Sequence, residues 1–136
     1  MTTVPLWTDE QVENSPRVKA VFDDIRAVRQ TDFVNNFWRA LANQPDVLER
    51  IWGQIKTVMI EPGELSPLVK ELLYVAVSTI NGCSYCIHSH TAAAWAQGMT
   101  PAIYGELQAV IGLASSTNAI VQALQVPVDP RFDVKG

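Results

Sequence analysis

The helical pattern is clearest in residues 66–98, which read SPLVKELLYVAVSTINGCSYCIHSHTAAAWAQG. Ser66-Pro67 is typical of a helix start, because serine caps the first turn and proline fits the first helical position. The apolar residues that follow recur at helical spacing and predict a helix in the core. They are Val69, Leu72, Leu73, Ala76 and Ile80. Asn81-Gly82 interrupts this run, and a second helix is predicted from Cys83 to Gln97, so the segment predicts a pair of neighbouring helices.

Helical periodicity also dominates the rest of the chain, which lacks the sustained alternation typical of strands. Ser15-Pro16 begins a helix that reaches about Val28, a second is expected over residues 32–42, and a third runs from Pro45 to about Val58. Residues 101–124 contain two glycines and a polar run, which are compatible with one bent helix or with two shorter helices, and of these we expect two. We therefore predict an all-α single domain, residues 1–136, of six or seven helices, whose core helix pair carries the cysteines. The proline-rich tail, residues 126–136, is predicted to be an extended arm.

Size and charge exclude several classes of function. A chain of 136 residues is large enough for a core without disulfide bridges. The formal net charge of −4 offers no basic surface to nucleic acid or to an anionic membrane. The N-terminus lacks the features of a signal peptide, and the apolar run Leu72–Ile80 is too short to span a bilayer. We therefore expect a cytoplasmic protein, and in that compartment a Cys-x-x-Cys pair indicates catalysis, redox chemistry or metal binding.

Both cysteines and both histidines of the chain fall within residues 83–90. On a helix, Cys83, Cys86 and His90 share one stripe, whereas His88 points away. His88 is predicted to be an ordinary surface or interface histidine, with proton shuttling as the alternative. Two cysteines one turn apart at a helix start can close a disulfide, and the unpaired N–H groups there favour a thiolate. The window therefore predicts thiol chemistry with His90 beside the two sulfur atoms.

Other interpretations of the same residues stay open. The two cysteines are also compatible with a buried apolar pair, or with a three-ligand zinc site completed by His90, in which Glu71 would be a fourth ligand. A thioredoxin-like motif is excluded, because the βαβ pattern that accompanies it is missing. Tyr85 either packs or donates a hydrogen bond near the site. Glu71 is either a solvated carboxylate or a partner of the site.

Five of these residues carry a family resemblance. Glu71 precedes Cys83 by twelve residues, and with Tyr85, Cys86 and His90 it forms the order Glu…Cys-x-[His/Tyr]-Cys-x-x-x-His. This order resembles the signature of the alkylhydroperoxidase D-like, peroxidase-related branch of the carboxymuconolactone decarboxylase superfamily, to whose members residues 36–45 are also similar. The resemblance implies an all-α fold, a homo-trimer or homo-hexamer, and antioxidant reduction of organic hydroperoxides by the dithiol without haem, flavin or metal.

The mechanism expected from this resemblance and from the spacing has three steps. His90, one turn beyond Cys86, takes the thiol proton, and Glu71 orients the imidazole. Cys86 attacks the O–O bond, and its sulfenic acid condenses with Cys83 to a disulfide. An external dithiol, such as a lipoyl-type reductant, then restores the pair. The helix terminus alone favours Cys83 as the attacking thiol, whereas proximity to His90 and the family pattern favour Cys86.

Two rival functions stay open at this stage. One is a decarboxylase or lactone-type enzyme of the same fold, which would use His90 and Glu71 as acid and base and would not need the thiols. The other is a non-enzymatic redox sensor or zinc-binding module.

Overall fold

The computed structural model describes residues 1–133, so the last three residues of the predicted C-terminal arm lie outside the described range. Within that range the chain forms seven α-helices and no strand, which confirms the all-α prediction. The helices are α1 (Asp9–Glu13), α2 (Pro16–Arg29), α3 (Asn36–Leu41), α4 (Pro45–Ile55), α5 (Pro67–Ile80), α6 (Ser84–Ala96) and α7 (Pro101–Leu124). A π-helical turn, Lys56–Ile60, follows α4, and a 3₁₀ turn, Pro130–Phe132, follows α7.

The chain divides into two compact units, the first of which comprises residues 1–62. In this unit α2 packs against α1 and α4, and α3 packs against α4. The rings of Trp38 and Trp52, both almost fully buried, meet edge to face with centroids 5.4 Å apart. They lie in a cluster with Val12, Val18, Val21, Phe22, Ile25, Val34, Ala42 and Leu48. The predicted apolar face of the helix after Ser15-Pro16 is therefore a core face, while the single-domain organisation of residues 1–136 stays a prediction.

The second unit, from Gly63 onward, contains the predicted pair of helices. Ser66 caps α5 by accepting a hydrogen bond from the Val69 N–H, and α5 packs along α6 and also against α7. Its buried positions are Val75 and Ser78, not the face that the spacing predicted for the core. On that face Leu73 and Ile80 are 52% and 65% exposed, so its predicted burial is wrong for the single chain. Periodicity locates an apolar face but not the surface that covers it.

The segment after Thr100 is one continuous helix of 24 residues, α7, rather than the two that we expected. The glycines at 105 and 112 each cost only about 1 kcal/mol of helix propensity, which does not break a helix. In the polar run, the Ser115 hydroxyl donates to the Ile111 carbonyl and the Thr117 hydroxyl to the Ala114 carbonyl. These hydroxyl groups find their hydrogen-bond acceptors within the helix itself. The polar run is therefore compatible with a continuous helix and does not indicate a loop.

The N-terminal half differs from the prediction in two places. Helix α1 was missed, although Thr8 and Gln11 form a reciprocal capping box at its start. Helix α3 begins at Asn36, not near residue 32, because Gln30 ends α2 in the left-handed conformation at φ 52° and a non-helical loop follows. Of the described part of the predicted arm, residues 126–129 have no regular structure, and residues 130–132 form the 3₁₀ turn.

Candidate active site

The two cysteines form a disulfide at the start of α6. Gly82, at φ +68°, turns the chain out of α5, and the Cys83 N–H donates to the Ser78 carbonyl at 3.0 Å. Cys83 is the N-cap of α6, and its Sγ accepts a hydrogen bond from the Cys86 N–H at 3.3 Å. The sulfur atoms of Cys83 and Cys86 are bonded at 2.03 Å. Both residues are partly exposed, so the bridge lies in the first turn of α6 within reach of solvent.

A histidine and a carboxylate are paired between α5 and α6. The Nδ1 atom of His90 lies 2.7 Å from the Oε2 atom of Glu71, with side chains 20% and 14% exposed. In a neutral imidazole held this way, Nδ1–H donates to the carboxylate and Nε2 keeps its lone pair. Glu71 is therefore not a solvated carboxylate, and His90 has one ring nitrogen available to accept a proton.

An aromatic ring completes the surroundings of the imidazole. The ring of Tyr74 is stacked on that of His90, with centroids 3.5 Å apart and planes inclined by 18°. Tyr74 is partly buried and follows Glu71 by three residues, so both side chains leave α5 on the face that meets α6. Tyr74 was not among the site residues predicted from the sequence. Its spacing from Glu71 was the available signal.

The remaining candidates lie on α6 but are more exposed. His88 is exposed, in agreement with its predicted direction away from the cysteine stripe. Tyr85, between the two cysteines, is 45% exposed. Its supporting role stays a prediction.

The described residues contain no group of three or more His, Cys, Asp or Glu side chains arranged to hold a metal ion. In this oxidised form each sulfur atom is bonded to the other, so the ligand set of the zinc alternative is not assembled. What the geometry does bring together is a dithiol in its disulfide state and, on the same helix, an imidazole paired with a carboxylate.

Residues 45–129 match the carboxymuconolactone decarboxylase family, and the chain belongs to that family. Within it, the chain is similar to the alkylhydroperoxidase AhpD core from Rhodospirillum rubrum, whose crystal structure it matches with 60% identity and a TM-score of 0.97. That match covers 99% of each chain and places this protein in the alkylhydroperoxidase D-like branch. No curated protein matches the chain.

Proposed function

We propose that the protein is a thiol-dependent peroxidase that reduces organic hydroperoxides through the Cys83–Cys86 pair. The observation that carries this proposal is the pairing of His90, on the helix that begins with the disulfide, with Glu71 on α5. A carboxylate-oriented imidazole one helical turn from a redox cysteine is the arrangement that thiol activation requires. The similarity to an alkylhydroperoxidase AhpD core supports the same activity.

The proposed cycle balances with a hydroperoxide and a dithiol as the two reactants. His90 accepts the Cys86 proton, the thiolate attacks the terminal peroxide oxygen, and the O–O bond breaks. The imidazolium returns the proton to the departing alkoxide, which leaves as an alcohol, while Cys86 becomes a sulfenic acid. The Cys83 thiol displaces water from this acid and forms the disulfide. A lipoyl-type dithiol then reduces the bridge by two exchange steps and is itself oxidised to a disulfide.

Cys86 is proposed as the attacking thiol because His90 follows it by four residues on α6, one helical turn away. Cys83 has a different advantage. As N-cap residue it receives the Cys86 N–H, which stabilises a thiolate on its sulfur and suits it to resolve the sulfenic acid and to leave when the bridge is reduced.

The test is multiple-turnover consumption of cumene hydroperoxide with dihydrolipoamide as donor. We expect the wild type to turn over, Cys86→Ser to lose peroxide consumption, and Cys83→Ser to accumulate a sulfenic acid on Cys86 that mass spectrometry detects. Ser84→Ala, on the exposed residue between the cysteines, is the matched control and should behave like the wild type. A fast-forming sulfenic acid on Cys83 in the Cys86→Ser protein would reverse the assignment of the attacking thiol.

The rival functions predict different results in this experiment and in assays of decarboxylase activity and zinc content on the same proteins. A decarboxylase that relies on His90 and Glu71 would be inert toward the peroxide and would keep its activity after both Cys→Ser substitutions. A sensor would be oxidised once without turnover, and a zinc module would retain stoichiometric zinc after purification under reducing conditions. Any of these outcomes would contradict the peroxidase.

We also propose that the protein acts in the cytoplasm as a homo-oligomer, a trimer or a hexamer. No residue of α7 is buried, and its second half carries an apolar stripe of Leu113, Ile120 and Leu124. By length and mean hydropathy (1.3) this helix would also suit a membrane span. The family resemblance, which implies a homo-oligomer, favours a second copy of the chain as its cover.

A further inference from the structure

We propose that Tyr74 is a positioning residue that holds the plane of the His90 imidazole, so that Nδ1 meets Glu71 and Nε2 stays available as the base. The inference rests on the proposed function only in treating His90 as that base. The contact on which it depends is the stack of the two rings at 3.5 Å, nearly parallel.

A hydrogen bond to Glu71 fixes one ring atom but not the ring. The terminal torsion of a histidine side chain is broad, and a half-turn exchanges Nδ1 with a carbon atom. If the hydrogen bond at Nδ1 were its only restraint, the plane of the imidazole could still rotate about that atom. A flat ring lying against the imidazole removes this freedom, because any tilt opens the stack. Glu71 and Tyr74 together therefore set both the position and the plane of His90, and hence the direction of Nε2.

Helix α5 delivers both restraints from one rigid element. Glu71 and Tyr74 are three residues apart, and Val75 and Ser78, which are buried, anchor the same side of the helix against its surroundings. A phenol ring also attracts a cation placed over its face. The stack thus suits the imidazolium that forms when His90 takes the thiol proton.

The first test follows the imidazole itself in the oxidised protein, with ¹⁵N-labelled histidine and NMR. In the wild type we expect His90 to show a single tautomer protonated at Nδ1. Tyr74→Leu, which keeps an apolar side chain without the ring, should give averaged nitrogen shifts for His90. Tyr74→Phe should restore the wild-type pattern. The exposed His88 is the internal reference and should not change in any variant.

The second test is peroxide turnover by the same proteins. We expect Tyr74→Leu to lower kcat/KM about tenfold, to leave the KM for the dithiol unchanged and to move the midpoint of the pH–rate profile upward, because the Cys86 thiol ionises at a higher pH when its base is poorly placed. Tyr74→Phe should stay within twofold of wild type. Tyr104→Leu is the control, because Tyr104 pairs at a tilt with Trp95 in the same unit and is given no part in the proposed mechanism. If Tyr74→Leu does not fold by circular dichroism, Tyr74→Met serves in its place.

The outcomes separate this inference from the proposed function. Unchanged His90 shifts and unchanged rate in Tyr74→Leu would overturn the positioning role. So would an equal loss in Tyr74→Phe and Tyr74→Leu, which would show that the hydroxyl acts and not the ring. If the wild type consumes no peroxide but Tyr74→Leu still gives averaged nitrogen shifts for His90, the positioning role stands and the peroxidase proposal fails.

Discussion

His88 and His90 are separated by a single residue, yet their environments have little in common. His90 is held between a carboxylate and an aromatic ring, whereas His88 is exposed on the other side of α6. This difference follows from helix geometry, because residues two apart on a helix point in nearly opposite directions. The two side chains therefore provide a matched comparison for the proposed base.

We expect His90→Ala to slow peroxide reduction by roughly 10²–10⁴, the usual contribution of a positioned general base. His88→Ala should leave the rate within a few-fold, since its side chain is exposed. Stopped-flow measurement of peroxide consumption by the reduced proteins checks both values. Equal losses in the two variants would contradict the separation of their roles.

The site residues were predictable to different degrees. The stripe of Cys83, Cys86 and His90 follows from spacing within one helix. Spacing alone was compatible with Glu71 as a solvated carboxylate or as a partner of the site, and the family resemblance favoured the site. Tyr74 was not predicted because its partner, His90, lies sixteen residues away on the next helix. Helical spacing predicts the side of α5 on which Tyr74 lies, but not the residue of the neighbouring helix that it contacts. Contacts within one element can be predicted from periodicity, whereas contacts between elements cannot.

At the scale of elements, one carboxylate links α2 to the end of α4. The Oδ2 atom of Asp24 accepts hydrogen bonds from Trp52 Nε1 and from Lys56 Nζ, each at 2.7 Å. Trp52 belongs to the buried cluster, and Lys56 begins the π-helical turn. The hydrogen bond from Lys56, followed by that from Trp52, holds the pKa of Asp24 below its ordinary value. The contribution of Asp24 to stability is thus present above that ordinary pKa and is lost as the pH falls through the lowered one.

We expect Asp24→Leu to lower the free energy of unfolding by about 1–2 kcal/mol, because the Trp52 N–H loses its acceptor and Lys56 its partner. Asp24→Asn keeps an acceptor for the indole and should cost less. Urea unfolding at pH 7, followed by tryptophan fluorescence, measures both. At a pH well below the lowered pKa, the difference between wild type and Asp24→Asn should shrink. A cost for Asp24→Asn as large as that for Asp24→Leu would contradict the role of the indole.

Local end signals predicted some element boundaries well and others poorly. Ser-Pro at residues 15–16 and 66–67 and Thr-Pro at 100–101 each precede an observed helix start. The prediction of two helices in place of α7 was wrong because glycine and serine were taken as helix breakers. A long helix tolerates them, since extending an existing helix is easier than starting a new one. The Ser-Pro and Thr-Pro signals therefore predicted helix starts better than glycine and serine predicted helix ends.

On the scale of the whole molecule, the chain leaves long apolar surfaces uncovered. The second half of α7 has its apolar stripe on one side and Gln122 on the opposite side, so this half is amphipathic, although none of residues 1–133 buries it. On α5, Val69, Leu73, Val77 and Ile80 form a second exposed stripe. Sequence periodicity predicted the apolar side of α5, but no property of a single chain states which molecule covers it.

If the chain assembles as proposed, sedimentation at micromolar concentration should give a trimer or a hexamer. We expect Leu113→Glu, which places a charge within the apolar stripe of α7, to weaken assembly at least tenfold. Gln122→Glu adds the same charge on the opposite side and should leave the oligomer intact. A wild-type monomer, or equal effects of the two substitutions, would exclude this face as the contact.

The two sulfur atoms belong to a single turn at the start of α6. We expect the making or breaking of their bond to require rearrangement only within that turn, without movement of a helix, as electrons enter or leave. Such a protein would present nearly the same outline to its oxidant and to its reductant. Partners would then be told apart by reactivity toward sulfur and not by a change of shape, and the direction of electron flow would follow from the relative reduction potentials of the two reactants.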